Sequence, residues 1–357
     1  MFIYLVVEIM LLLSFLVEYE GKLKANLRLF SLYLWLYTGI FFIFFIGFRT
    51  CGFDYYSYKE WHQVISTSSN WLQASLWIGA EPGYGFLNHL IGNYQWVLFV
   101  MAVATLGILF SFFYKYSPYY FLSLILYLPN LYGGSMGQMR QALAVAIGLW
   151  AIASIQNKKK FFILLVCALM FHVSAVFLLM LLFIPQKLQS RKYYFVGLLV
   201  AVCINWAGEL LFVKLVGLFP EFIARKIEFY MIAEEGYTTG LNLSMILRLL
   251  VVGSCLLIKP KLCLSPVYSW FFNVYFFGVL FYIACGFLPQ MGVRGSLYFS
   301  FLEYILVPLV VFYRVGSLRW VVLFFFLFLS VYRQVPYFSS SSMYADEYVP
   351  YTNYFLQ

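Results

Sequence analysis

The stretch Phe161-Phe162-Ile163-Leu164-Leu165-Val166-Cys167-Ala168-Leu169-Met170-Phe171-His172-Val173-Ser174-Ala175-Val176-Phe177-Leu178-Leu179-Met180-Leu181-Leu182-Phe183-Ile184 decides how this chain is threaded through a membrane. Taken alone it is a single apolar crossing, since about 20 such residues span a bilayer core. Its flanks argue otherwise. Lys158, Lys159 and Lys160 precede it, and Lys187, Arg191 and Lys192 follow it. Basic loops stay on the cytoplasmic side of a membrane. A straight crossing would export Lys187, Arg191 and Lys192 and invert every later assignment, exporting Lys259, Lys261, Arg314 and Arg319 as well. Breaking the run at Phe171-His172-Val173-Ser174, into two short arms that enter and leave from the cytoplasm, keeps all of these residues inside. Backbone broken at membrane depth must be buried in protein or line a wet cavity, so His172 is expected at a protected polar site. The alternative is a plain span that strains the positive-inside rule.

Outward from this run, the whole chain is of the same kind. It is 64% hydrophobic and 10% charged, with a mean hydropathy of +0.87, which excludes a water-soluble globule. Other apolar runs lie at about 2–18, 29–47, 95–113, 118–132, 141–155, 193–218, 244–258, 268–288, 297–313 and 320–333. The expected architecture is an all-α polytopic integral membrane protein, with about ten spanning helices and the broken re-entrant hairpin in a single transmembrane domain over 1–357. Lys22, Lys24 and Arg28 put the first connection inside and the N-terminus outside, and Lys115 marks the next inner turn. Met1 to Val17 contains Glu8, has no basic leader and shows no A-x-A site, so it is read as a retained first helix. The net charge of +9 would suggest nucleic acid in a soluble protein; here it is the positive-inside bias, and no nucleic-acid partner is expected. Six scattered cysteines and His62, His89 and His172 lack metal-ligand spacing, so neither metal nor cofactor is expected.

With this topology the unusual polar residues fall on one side. External loops at about 49–93 and 219–243 and an external tail at about 334–357 would form an outer-face cavity. Arg49, Asp54, Glu81, Arg140, Arg225 and Arg294 lie at or near that face, and His172 approaches it from within the membrane. Gly133-Gly134-Ser135-Met136-Gly137-Gln138-Met139-Arg140-Gln141 opens a helix. Small residues, free N–H groups and the Arg140 donors suit a phosphate or pyrophosphate. Arg140 otherwise snorkels to the interface or pairs with Asp54 or Glu81. Arg294, in Gly292-Val293-Arg294-Gly295-Ser296, repeats that pattern, and Arg225 could extend the patch.

Asp54, Glu81 and His172 are the candidate general bases, because a carboxylate beside arginines or a half-buried imidazole can take a hydroxyl proton. Each has a structural alternative. Asp54 could pair with Arg49, His172 could cap the second arm, and Glu81-Pro82-Gly83-Tyr84 has the pattern of a helix start with Pro near its first position.

The order Arg49…Asp54-Tyr55…Tyr58, Glu81-Pro82-Gly83-Tyr84, Met139-Arg140-Gln141-Ala142-Leu143-Ala144, Phe171-His172-Val173-Ser174-Ala175 and Pro350-Tyr351 resembles the EpsG-like branch of Wzy-type bacterial polysaccharide polymerases. The resemblance implies a glycosyltransferase in the bacterial inner membrane, acting at its outer face on undecaprenyl-diphosphate-linked oligosaccharide repeats. It also implies membrane lipids as surroundings and a chain-length regulator and a flippase as candidate partners. In that setting Arg140, Arg294, Arg49 and Arg225 would hold pyrophosphate, and Tyr55 and Tyr58 would offer ring faces to sugars. The competing readings are a flippase or transporter, an O-antigen ligase and a glycan acyltransferase. A transporter would place charges near the bilayer midplane and often show internal repeats, whereas this chain gathers its polar groups at one face.

Overall fold

The structure, a computed structural model, describes residues 2–22, 24–215, 242–313, 316–339 and 345–355. Among these residues it is helical throughout, with one isolated antiparallel bridge between Arg49 and Asn353. Two compact units divide the chain: Met1–Val176 with Val307–Gln357, and Phe177–Leu306. Arg225, and the expected loop at 219–243 as far as 241, lie outside the described residues.

The first unit begins with two membrane-length helices, α1 (Phe2–Gly21) and α2 (Ala25–Gly47). The expected external segment then folds into three short helices, α3 (Tyr55–Thr67), α4 (Trp71–Trp77) and α5 (Pro82–Leu90). Their mutual packing uses a His62 Nδ1–Asn88 Oδ1 hydrogen bond of 2.9 Å and a Trp71–Phe86 ring pair. Next come α6 (Tyr94–Tyr116) and α7 (Tyr120–Asn130). The α7 N-terminus is capped from a distance. Glu18 of α1, 2% exposed, accepts the Tyr120 and Phe121 amides at 2.7 and 3.0 Å. Toward its other end α7 meets Pro129, which lacks an N–H and crowds the preceding turn. Gly133, Gly134 and Gly137 then weaken α-helix further, and Leu131–Gly137 widens into π-helix, with the Gln138 amide bonding back to Gly133.

From there the chain continues through α8 (Met139–Ala153) and α9 (Lys158–Leu169). The 12 residues of α9 rise about 18 Å, short of a bilayer core of about 30 Å. The helix stops where the sequence placed a break: Met170, Phe171 and His172 form a turn, and Val173–Phe183 continues as a 3₁₀-helix.

Basic side chains gather at one end of this unit. Lys22 lies over Tyr119, Lys115 and Lys160 both lie over Trp150, and Arg319 donates to the Tyr19 hydroxyl. The second unit contains α10 (Arg191–Leu215), α11 (Leu243–Leu257), α12 (Lys259–Leu262), α13 (Pro266–Ala284) and α14 (Pro289–Ser300). Here Lys259 Nζ donates to the Gln189 carbonyl at 2.6 Å, so the 187–192 and 259–261 loops share an end. The chain finishes with α15 (Glu303–Tyr313), α16 (Ser317–Phe338) and the single turn α17 (Ala345–Tyr348).

Ten spans were expected; among the described residues five single helices are long and apolar enough to cross a membrane: α1, α2, α6, α13 and α16. The bent pair α14 and α15 would make a sixth. The difference has a physical cause. The runs around Pro129 and Gly133 are interrupted, and the 15 residues of α8 or α11 rise only about 22 Å.

Candidate functional site

Glu81 and Arg140 form the centre of the cluster that the first unit builds. Pro82 starts α5 as its pattern predicts, yet the Glu81 side chain does not cap that helix. One carboxylate oxygen pairs with Arg140 Nη1, and the other accepts the Val173 amide at 3.1 Å. Arg140 is the second residue of α8, where the first amides have no partner within the helix. Its guanidinium lies 4.6 Å from the Trp61 ring centre, 5.5 Å from Tyr58 and 5.7 Å from Tyr84. The side chains of Arg140 and Glu81 are 12% and 14% exposed, so charge is concentrated where water screens it poorly. Burial pushes the Tyr58 hydroxyl above its ordinary range, with the Arg140 charge opposing; it pushes Tyr84 up as well. Both rings therefore stay protonated beside the cation.

The break at 170–173 is tied to this pair. Gly83 donates its amide to the Met170 carbonyl at 2.8 Å, and Val173 donates to Glu81. His172, half-buried, places Nδ1 2.6 Å from Ser174 Oγ, and Gln141 Nε2 reaches the same hydroxyl at 3.5 Å. The structure thus brings Glu81, Arg140 and His172 together, joined through Val173, Ser174 and Gln141.

Arg49 has a different environment. It is 1% exposed, with Nε donating to Met136 O at 3.1 Å and Nη1 to Ile46 O at 2.8 Å. Gly52, at φ 122°, packs on the same Met136 carbonyl so closely that a Cβ would overlap it. Arg49 thus braces the π-helix through two of its three nitrogens, while the sequence reading gave it a ligand-facing role. The C-terminal segment closes this region. Thr50 and Gly52 donate to the Thr352 and Glu347 carbonyls, Tyr348 donates to Tyr132 O, and the Tyr351 ring stacks on Phe45 at 4.3 Å.

Tyr55 and Tyr58, the expected sugar contacts, are 6% and 5% exposed, and Tyr58 borders Arg140. Asp54 is half-buried immediately before α3, with no side-chain cap bond to that helix. Arg294 sits half-buried on α14 in the second unit. Two residues on, Ser296 accepts Arg248 Nη1 at 3.0 Å, and Arg248 stacks 4.1 Å from the Tyr282 ring. Sequence reasoning passed over Arg248, although a cation inside an apolar helix is itself a signal. It quoted Tyr84, Gln141 and Ser174 inside motifs but gave none of them a role. These carry no such signal, because their importance comes from contacts across the fold.

The sequence model of the EpsG family matches residues 32–353. That range takes in every residue of the cluster. No curated protein and no solved structure matches the chain.

Proposed function

The chain belongs to the EpsG family, and on that premise we propose that it is a glycosyltransferase that polymerises polysaccharide at the outer face of the bacterial inner membrane. Its substrates in this reading are undecaprenyl-diphosphate-linked oligosaccharides of the O-antigen type. The growing glycan passes from its lipid carrier to the non-reducing end of a newly delivered lipid-linked repeat. The bond from the anomeric carbon to the diphosphate oxygen breaks, and a bond to the acceptor hydroxyl oxygen forms. The hydroxyl proton goes to a base, and the diphosphate leaves with the bonding electrons.

The observation that carries this reading is the enclosed Arg140–Glu81 pair at the start of α8. An arriving diphosphate competes with Glu81 for the same guanidinium donors. Exchange leaves Arg140 and the unpaired amides of the helix start on the diphosphate, where they stabilise the charge that develops on departure. It also frees the Glu81 carboxylate to take the acceptor proton. Tyr58, Trp61 and Tyr84 hold the guanidinium plane and keep water from it. Arg49 acts one step back, fixing the π-helix that leads into α8. Arg294 and Arg225 are the candidate head-group contacts outside this cluster, and Asp54 is the reserve base. A flippase supplies the acceptor and a chain-length regulator sets when transfer stops.

The test is the glycan length profile of a strain lacking the gene. A single capped repeat in place of a ladder supports the polymerase, and loss of even that repeat supports a flippase or ligase. Arg140→Ala is expected to abolish long chains without reducing membrane insertion; a retained ladder removes Arg140 from the mechanism.

A further inference from the structure

Along α10 the residues Tyr193, Val196, Gly197, Val200, Ala201 and Ile204 recur at the spacing of one helical face. Gly197 lets that face approach α13 closely, since a Cβ there would stand 3.2 Å from Leu280 Cδ1 and 3.3 Å from Phe276 Cε1. The larger neighbours do not close the gap. Between them and the Phe277 and Phe281 rings, the second unit keeps an apolar groove of about 560 Å³. That volume lies within the range of about 300–1,000 Å³ typical of ligand sites. Val196, Val200 and Ile204 remain half-exposed along it.

The groove has a polar end, where Ser190 and Lys192 line it at the start of α10. The chain leading into this end is held by specific bonds. Asn273 donates to the Pro185 and Lys187 carbonyls at 2.6 and 2.9 Å, and the Tyr194 hydroxyl accepts the Gln189 amide at 2.9 Å. With the bond from Lys259 to the Gln189 carbonyl, these contacts gather Lys187, Arg191, Lys192 and Lys259 at one end of the groove. No Asp or Glu occurs between residues 185 and 208 or between 258 and 288, so neither segment balances this charge. The first amides of α10 add to it. Ser190 Oγ accepts the Tyr193 amide at 3.3 Å and keeps its hydroxyl hydrogen for an anion.

Length narrows the choice of occupant. From Tyr193 to Ile204 the helix rises about 17 Å, close to the ~15 Å of one leaflet in a bilayer core of about 30 Å. An acyl chain within one leaflet fits that length, whereas the polyprenyl chain of a lipid-linked sugar exceeds it. A second apolar groove, about 410 Å³ between α2 and α6, has no charged residue in its lining. Nothing there selects a head group by charge.

We propose that the groove between α10 and α13 is a binding site for one anionic glycerophospholipid, its phosphate held by Lys192 and Ser190 and an acyl chain lying over Gly197. By the positive-inside rule the leaflet is the cytoplasmic one, opposite the face at which glycan transfer is proposed. The site is therefore separate from the polymerase reading and stands or falls without it.

Native mass spectrometry of the full chain in detergent, titrated with phosphatidylglycerol or phosphatidylcholine of identical acyl chains, tests this. The wild-type chain is expected to retain one phosphatidylglycerol about fivefold or more tightly than phosphatidylcholine. Lys192→Gln should weaken phosphatidylglycerol by about fivefold, the effect of removing one basic residue from an anionic head group, and leave phosphatidylcholine unchanged. Lys159→Gln, at an exposed lysine of the first unit, should change neither. Val200→Trp should fill the groove and abolish the tight retention. Val202→Trp, equally exposed on the same helix but outside the groove, should preserve it. Lys192 is exposed, so its variant is expected to fold and decides the matter even where a tryptophan is not tolerated. Equal binding of the two phospholipids by the wild-type chain, or equal effects of Lys192→Gln and Lys159→Gln, marks ordinary surrounding lipid and overturns the proposal. Equal retention by folded Val200→Trp and Val202→Trp overturns it too. Displacement of the bound phosphatidylglycerol by equimolar undecaprenyl phosphate would make the groove part of the substrate path and also overturns it. A deletion strain with an unaltered glycan ladder overturns the polymerase reading alone.

Discussion

Replacing Glu81 and Arg140 by Gln, singly and together, isolates the interaction on which the proposed exchange depends. Two limits bracket its size. Exposed ion pairs contribute about 0.2–1 kcal/mol, while breaking a fully buried pair costs about 3–5 kcal/mol. With side chains 12% and 14% exposed, the pair lies nearer the buried limit, and a charged hydrogen bond of this kind contributes about 1.5–3 kcal/mol. The coupling energy of the double-mutant cycle is therefore expected near ~2 kcal/mol. The single variants should differ. Glu81→Gln leaves the Arg140 cation among three aromatic rings, each offering about 0.5–1 kcal/mol of cation–π attraction. Arg140→Gln leaves a carboxylate whose remaining bond is to the Val173 amide. Arg140→Gln should accordingly be the more destabilising, by roughly 1 kcal/mol, and the double variant should cost less than the sum. Denaturant unfolding of the purified protein in mixed micelles measures all four corners. Additivity within about 0.5 kcal/mol would refute the reasoning, since it would mean the two groups do not depend on each other.

Three further outcomes follow from the fold. Gly52→Ala should destabilise the protein by about 2 kcal/mol or more, because a Cβ would overlap the Met136 carbonyl and the backbone stands at positive φ; an unshifted melting temperature would contradict this. Glu18→Ala should cost roughly 2–4 kcal/mol by stranding the Tyr120 and Phe121 amides, and Glu18→Gln about half as much, since it keeps one acceptor. Equal stability of the two variants would show that the cap is unimportant. A reporter fused after Lys192 should behave as cytoplasmic, and an external result would reject the re-entrant hairpin and the sidedness built on it.

The apolar runs made the membrane class and its long helices legible, because composition alone sets them. The gathering of Glu81, Arg140 and His172 was legible for a different reason: each is a polar residue at the end or break of an apolar run, where it must be compensated. Burial was not legible. Arg49, Tyr55 and Tyr58 look identical in sequence whether they face a ligand or a neighbouring helix. Their burial comes from contacts with Met136, Tyr94 and Arg140, each at least 39 positions away. The π-helix at Leu131–Gly137 was half legible. Its glycines announced an irregular backbone, but the contacts on its Met136 carbonyl, an Arg49 hydrogen bond and the close approach of Gly52, come from another part of the chain.

The pairing of residues 49–52 with 347–353 also sets a timetable. The two segments are some three hundred positions apart. At ribosomal speeds of about 5–20 residues per second, the later one emerges roughly 15–60 s after the earlier. During that interval the Thr50 and Gly52 amides must be hydrated, because their acceptors have yet to be made. The end of the first unit that carries this pairing therefore matures last, after its helices are already inserted. A ribosome that stalls before residue 345 would leave a membrane-integrated chain whose π-helix lacks its final support, a product that passes insertion and fails only in activity.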